Sequence, residues 1–377
     1  MRDNQTYQWL ATGDAYYSAV LAAIVSARES IRLETYIFSA GKPGDDVLAA
    51  LVAAARKGVK TRVLIDAFGS YELPSDYWKE FIAAGGEFRL FNPLSLNRIT
   101  IRDHRKLLVC DLKVAFTGGF NIAADAAGDG ITRGWRDLGL KVTEELAIEM
   151  AASFDQMFAM AEFKHSRLPR LRLHGIFSRS RKEWPAAALL TSQPHRTTSP
   201  IRNTILSDIK KASRIRIISG YFLPTWRLKN ALRKSARRGN DVQIITAGKS
   251  DVPFARYAGR AVYERFLLAG IKIYEYDAQI LHTKLIIIDN VVYVGSANLD
   301  TRSLKINYEL LVRVDDAGLA RKAISIFESY LPHCRAIEHT SWKKSRNLWE
   351  KLGERIAHFL LARIDVYFAR RQLSKLR

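Results

Sequence analysis

The chain has 377 residues, with 59 Lys and Arg against 38 Asp and Glu, a formal net charge of +21. That length accommodates two domains with a sizeable core. A surface this basic seeks a polyanion, either nucleic acid or an anionic membrane, and charge alone does not choose between them. Cys110 and Cys334 are too few for a disulfide framework. No Cys/His cluster has ligand spacing, so neither a metal nor another cofactor is expected.

The N-terminal stretch has no basic region followed by an apolar run, so no signal peptide is expected. No segment reaches the roughly 18 uninterrupted apolar residues of a membrane span. Residues 13–27 open on a Gly-Asp cap and carry helical apolar spacing. Ser30 to Phe38 reads as a buried strand, 45–57 as an amphipathic helix stopped by Gly58, and Val59 to Asp66 as a strand. Trp78 to Ala84 is helical and ends at Gly85-Gly86. Strands follow at 88–91, 105–110 and 114–117.

The second part repeats this order. Helical spacing covers 200–212, 226–238 and 257–269, and strands are read at 214–222, 241–246, 272–276, 283–288 and 291–294. SIRLETYIF matches RIRIISGYF, so Tyr36 stands opposite Tyr221. FIAAGGEFRLF matches FLLAGIKIYEY. Two tandem α/β units are therefore expected, with mixed, largely parallel sheets flanked by helices and a pseudo-two-fold relation between them. The expected divisions are 1–160, a basic linker at 161–195, 196–335, and a basic segment at 336–377. Within the linker, 163–183 is equally readable as a solvated connection or as a phosphate-meeting surface. Residues 341–377 contain ten basic and three acidic residues, with aromatics and helical apolar spacing. That reads as a helix lying in a membrane interface, or else as one packed on the second unit with a solvated basic face.

The repeat carries the chemistry. His104-Arg-Lys106-Leu-Leu-Val-Cys-Asp111 recurs as His282-Thr-Lys284-Leu-Ile-Ile-Ile-Asp289. The differences 282 minus 104, 284 minus 106 and 289 minus 111 all equal 178. A small-residue turn and an Asn follow each copy: Gly118-Gly119-Phe120-Asn121 and Gly295-Ser296-Ala297-Asn298. On a strand, residues two apart point to one face, so each His lies beside its Lys. Two such faces meeting in one cleft suit a phosphodiester. Lysines and carboxamides bind its non-bridging oxygens, one imidazole attacks phosphorus, and the other protonates the leaving alcohol. Gly119 lets the backbone approach closely, and Ser296 is expected to donate to phosphate. Asp137 and Glu309, at the starts of apolar alternating strands, are candidates to orient the imidazoles. Asp111 and Asp289 each end a hydrophobic strand and are expected to tie down the following turn.

These segments resemble the phospholipase D superfamily, whose signature is seen as His104/Lys106/Asp111 with Gly119 and Asn121, and as His282/Lys284/Asp289 with Ser296 and Asn298. Within it the chain looks most like bacterial cardiolipin synthases of the short kind without N-terminal membrane spans. The grounds are AFTGGFNIA, WRDLGLKV, SGYFLP and YVGSANLDTRSLKINYE around the motifs. The resemblance places Asp111 and Asp289 in the catalytic motif. It implies transfer of a phosphatidyl group through a phosphohistidine to a hydroxyl of phosphatidylglycerol, with a second phospholipid as donor. It also implies attack by His104 and proton transfer by His282. The expected partner is an anionic membrane surface, met peripherally from the cytoplasmic side. Nucleic acid ranks second, and no obligate protein partner is evident. The competing functions are a hydrolytic phospholipase D, a nuclease of the same superfamily, and a catalytically dead binding module.

Overall fold

The computed structural model describes residues 6–93, 100–161, 185–194 and 199–361. The first half runs β1 (Tyr7–Leu10), α1 (Gly13–Ser26), β2 (Ser30–Thr35), α2 (Gly44–Arg56), β3 (Lys60–Asp66), α3 (Lys79–Ala83) and β4 (Glu87–Phe91). It continues through β5 (Leu107–Cys110), β6 (Val114–Gly118), β7 (Gly139–Thr143) and α4 (Glu145–Met160). The second half runs β8 (Ala187–Ser192), α5 (Pro200–Lys211), β9 (Arg214–Ser219), α6 (Trp226–Arg237), β10 (Asp241–Lys249), α7 (Pro253–Arg260) and α8 (Tyr263–Leu267). Then come β11 (Lys272–Ile280), β12 (Lys284–Ile288), β13 (Val291–Gly295), α9 (Thr301–Lys305), β14 (Glu309–Asp315) and α10 (Ala317–Tyr330). The last elements are β15 (Cys334–Ile337), α11 (His339–Lys344) and α12 (Leu348–Phe359).

Each half builds one mixed sheet, ordered β1-β7-β6-β5-β2-β3-β4 and β15-β11-β10-β9-β12-β13-β14-β8. The two-unit α/β architecture is as expected, but the parallel share is smaller. Only β2-β3-β4 and β9-β10-β11 are parallel, and the other pairs are antiparallel. For two of the antiparallel pairs the reason is loop length. β5 joins β6 through Asp111–Lys113, and β12 joins β13 through Asp289-Asn290. Connections that short close only an antiparallel pair, whereas a parallel pair needs a crossover element.

The helices sort by their apolar faces. On α1, Tyr16, Val20 and Ile24 are buried with Leu51 of α2 and Phe81 of α3 against Leu33 and Val63 of the first sheet. The cap of α1 is Thr12, one residue before the expected Gly-Asp, and its hydroxyl accepts from the Ala15 amide at 3.2 Å. Ile205, Leu232 and Phe266, from α5, α6 and α8, cover the second sheet in the same way. Between the sheets, Met150 and Phe154 of α4 and Ala323 and Phe327 of α10 share a cluster with Val109 of β5 and Ile287 of β12. One apolar core therefore spans both halves.

Three expectations change. β8 lies inside the span expected as linker, pairing with β14 at the edge of the second sheet. The expected helix 257–269 is two helices: Ala255 and Ala258 of α7 pack toward α12, whereas Tyr263 and Phe266 of α8 pack on the sheet. The segment 336–361 is joined to the second half, because Trp342 is buried in its core and α12 packs on α7. The basic stretch 163–183 and the end of the chain, 362–377, lie outside the described residues.

Two short parallel bridges cross between the halves: Asp103 with Tyr308, and Arg136 with Leu281. The His104 amide donates to the Tyr308 carbonyl at 3.0 Å, and the His282 amide to the Arg136 carbonyl at 2.8 Å. Each motif histidine is thereby set beside the strand start of the opposite half, where Glu309 and Asp137 follow.

Candidate active site

The segments just ahead of the motif strands β5 and β12 enter one cleft of about 550 Å³ at the junction of the halves. His104, His282, Asn121 and Asn298 line it. His104 Nδ1 lies 3.1 Å from the Glu309 carboxylate. His282 Nδ1 lies 2.6 Å from Asp137 Oδ2. The pairing is crossed: each imidazole meets a carboxylate from the other half. With Nδ1 donating to a carboxylate, Nε2 is the unprotonated nitrogen of each neutral ring. Tyr36 and Tyr221, matched by the repeat, stand over His104 and His282 with ring centroids 5.0 and 6.3 Å away.

Lys106 Nζ donates to the His104 carbonyl at 2.8 Å, and Lys284 Nζ donates to the His282 carbonyl. Both ammoniums are buried, which lowers their pKa values to about 7 and about 8 against the pull of Glu309 and Asp137. Burial, then Lys106 and Lys284, hold the His104 ring well below the usual imidazole range. Burial and then Lys284 also lower His282, but Asp137 opposes them. The two carboxyls diverge. Burial raises Glu309 to about 7. Burial also pushes Asp137 up, yet His282 and Lys284 outweigh it and leave Asp137 below its ordinary value.

The small residues after the strands serve the carboxylates. A Cβ on Gly119 would sit 2.1 Å from Asp137 Oδ1, so glycine leaves the room that this carboxylate occupies. At the matching position the Ser296 hydroxyl donates to Glu309 and accepts from the Leu310 amide at 3.0 Å. Ser296 is fully buried, so the expected phosphate donor is instead committed to Glu309. Asn121 Oδ1 accepts from the Ile37 amide at 3.2 Å, leaving its NH2 to donate. Asn298 Oδ1 is buried with no hydrogen-bond partner among the described residues.

Asp111 and Asp289 stand apart from the reacting groups. Asp111 accepts from the amides of Arg28, Glu29 and Ser30, and Asp289 from those of Ser213 and Arg214. Both adopt positive φ, 55° and 50°, at the turn between paired strands. Rather than the following turn alone, they tie the motif strand to the start of its neighbour. Trp135, Asp251, Asp300 and Arg302 also line the cleft and were not singled out from the sequence. Trp135 lies 5.3 Å from His282, centroid to centroid. Its position beside Asp137 was the available signal.

Two α/β halves with a crossed His–carboxylate pair on each side of one cleft define a protein of the phospholipase D-like fold. The family model described as "Cardiolipin synthase, PLD-like domain" matches residues 20–160 and 205–331. The chain belongs to this family and is an enzyme of the phospholipase D type. It is 31% identical over 378 residues to cardiolipin synthase B of Escherichia coli K12, covering 95% of this chain and 88% of that one. It is 31% identical over 370 residues to a cardiolipin synthase of Clostridium perfringens, covering 94% and 77%. Among solved structures, phosphatidylserine synthase of Haemophilus influenzae superposes with a TM-score of 0.74 over 98% of this chain and 95% of that one. At 15% identity, that likeness concerns the fold.

Proposed function

We propose that this enzyme makes cardiolipin, moving a phosphatidyl group from a donor phospholipid to a hydroxyl of phosphatidylglycerol. The observation that carries the reading is the crossed pairing of His104 with Glu309 and His282 with Asp137 across one cleft. His104, whose environment favours the neutral ring, attacks phosphorus through Nε2. The P–O bond to the head-group alcohol breaks as the N–P bond forms. His282 enters this step as the imidazolium, stabilised by anionic Asp137 at Nδ1, and gives that alcohol the proton on Nε2. Lys106, Lys284 and the two asparagines bind the non-bridging oxygens as charge builds on them. In the second half-reaction His282 removes the proton of the acceptor hydroxyl, which attacks phosphorus and releases His104. An apolar wall of Phe68, Leu223, Val252, Ala255 and Leu361 beside these groups suits the glyceride part of a lipid.

No helix among the described residues is long and apolar enough to cross a membrane. The chain works as a peripheral protein on the cytoplasmic face, touching the bilayer through its C-terminal segment. On α12 the residues Trp349, Leu352, Ile356 and Phe359 are 80%, 47%, 50% and 57% exposed, an apolar stripe suited to the interface.

The test is incubation of the purified protein with labelled phosphatidylglycerol in vesicles, with products separated by mass. Cardiolipin and glycerol are expected. Phosphatidic acid alone makes it a hydrolase, and cleavage of DNA or RNA without any lipid product sinks the lipid reading. A His104→Ala chain that kept full activity would overturn the mechanism. His282→Ala is expected to accumulate some phosphohistidine on His104.

A further inference from the structure

A second concavity, about 300 Å³, lies between α6, α8 and α12. Its wall carries Lys229 and Arg233 from α6, Arg265 from α8, and Lys351 and Arg355 from α12. Among the described residues the wall has two carboxylates, Glu354, which is paired with Arg346, and Glu264. Among the described residues, the side chains of Arg233, Arg265, Lys351 and Arg355 make no ion pair or hydrogen bond. Arg233 Nε is buried with no hydrogen-bond partner, a condition that costs free energy until an acceptor arrives. His358 is also on the wall, with Nε2 3.4 Å from Lys229 Nζ. Burial, Lys229 and Arg265 hold its ring below the ordinary imidazole value, as a locally positive field would.

The helical repeat explains why this groove matters. At 3.6 residues per turn, α12 has three sides. Gly353 and Ala357 face α7, where a Cβ on Gly353 would meet the Tyr257 hydroxyl at 2.6 Å. Lys351, Glu354, Arg355 and His358 face the groove. Trp349, Leu352, Ile356 and Phe359 form the third side and are exposed. A cationic groove therefore runs beside an apolar stripe on the same helix, and Leu361 just beyond that helix lines the catalytic cleft. Anionic lipid presents this combination, a phosphate at the headgroup level above an apolar layer.

We propose that the α6–α8–α12 groove is a second lipid site, separate from the catalytic cleft. It holds the phosphate-bearing headgroup of an anionic phospholipid while the adjoining stripe enters the bilayer. The inference rests on the chain acting at a lipid surface, and not on which alcohol accepts the phosphatidyl group or which histidine attacks.

The experiment uses the full chain with His104→Ala, so that lipid is bound and not consumed. Its partition onto phosphatidylcholine vesicles with and without phosphatidylglycerol is measured at fixed salt. Arg233→Gln, Arg265→Gln and Arg355→Gln together are expected to weaken partition onto the phosphatidylglycerol vesicles by about a hundredfold, at the scale known for juxtamembrane basic residues. A control removing the same charge from exposed positions of the first half, Lys57→Gln, Lys60→Gln and Lys79→Gln, is expected to stay within about threefold. In the active chain, the groove substitutions are expected to leave turnover of monomeric short-chain phosphatidylglycerol unchanged, which also reports that the protein is folded. Equal losses for groove and control would reduce the effect to net charge and overturn the site. So would parent-like partition of the groove variant. Calorimetric binding of inorganic phosphate, lost in the groove variant with no change on vesicles, would mark a site for a soluble anion and overturn the lipid assignment. Failure of the catalytic reading would show differently: the chain with His104 intact would bind vesicles and make no lipid product.

Discussion

At the scale of single residues, the site works by putting like groups in unlike surroundings. The two lysines are buried beside carboxylates, with pKa values of about 7 and 8. In the proposed reaction their ammonium forms donate to phosphate, so that capacity is present at low pH and is lost as pH rises through 7–8. The value of kcat/KM is expected to fall across that range. The limb in kcat is expected higher, because bound phosphate favours the charged lysines. A kcat/KM profile flat from neutral to strongly alkaline pH would contradict this assignment. Gly119 supplies a sharper test. Alanine there forces a methyl against Asp137 Oδ1, which pulls the carboxylate from His282. Gly119→Ala is expected to lower activity by roughly 10²–10⁴-fold, the range associated with positioned proton transfer. At the matching position of the second half, Ser296 donates to Glu309.

At the scale of elements, the strand-and-turn unit that ends in Asp111 or Asp289 is a clamp. Three amides at the start of β2 converge on Asp111, and two at the start of β9 on Asp289. Asp111→Ala leaves those amides without their acceptor and is expected to destabilise the protein by roughly 1–3 kcal/mol. Thermal denaturation reads that loss. Activity per folded molecule, measured well below the melting range, is expected to stay within a few-fold of the parent. A full loss of activity with an unchanged melting temperature would return Asp111 to the reacting group. The repeat made this clamp legible, since a carboxylate at the same offset after both strands points to a shared local task. The inner helices were less legible. α4 buries Leu146, Ala147, Met150, Ala151, Phe154, Met157 and Phe158 between two sheets, so its apolar residues do not form the narrow stripe that marks a surface helix.

For the whole molecule, the catalytic unit belongs to neither half alone. Asp137 of the first half raises the proton affinity of His282 in the second. Asp137→Asn is therefore expected to move the titration of His282 to lower pH by NMR, with a smaller effect on His104. An equal shift at both rings would contradict the crossed pairing. The same junction sets the rigidity of the site, because the apolar cluster between the sheets contains residues from both halves.

The sequence by itself determined the tandem α/β plan, the two His-Lys faces, the asparagines and the two candidate carboxylates. Each is written in local periodicity or in a repeated spacing, although His104, Lys106 and His282 lie just ahead of β5 and β12 and not on those strands. The tertiary structure decided which carboxylate meets which histidine. Asp137 is 145 residues from His282, and Glu309 is 205 from His104. No local pattern encodes those separations. They follow from the Asp103–Tyr308 and Arg136–Leu281 bridges, which form only when the two sheets bury one core between them. The structure also decided that Ser296 serves Glu309, because a hydroxyl takes whichever acceptor folding brings within reach.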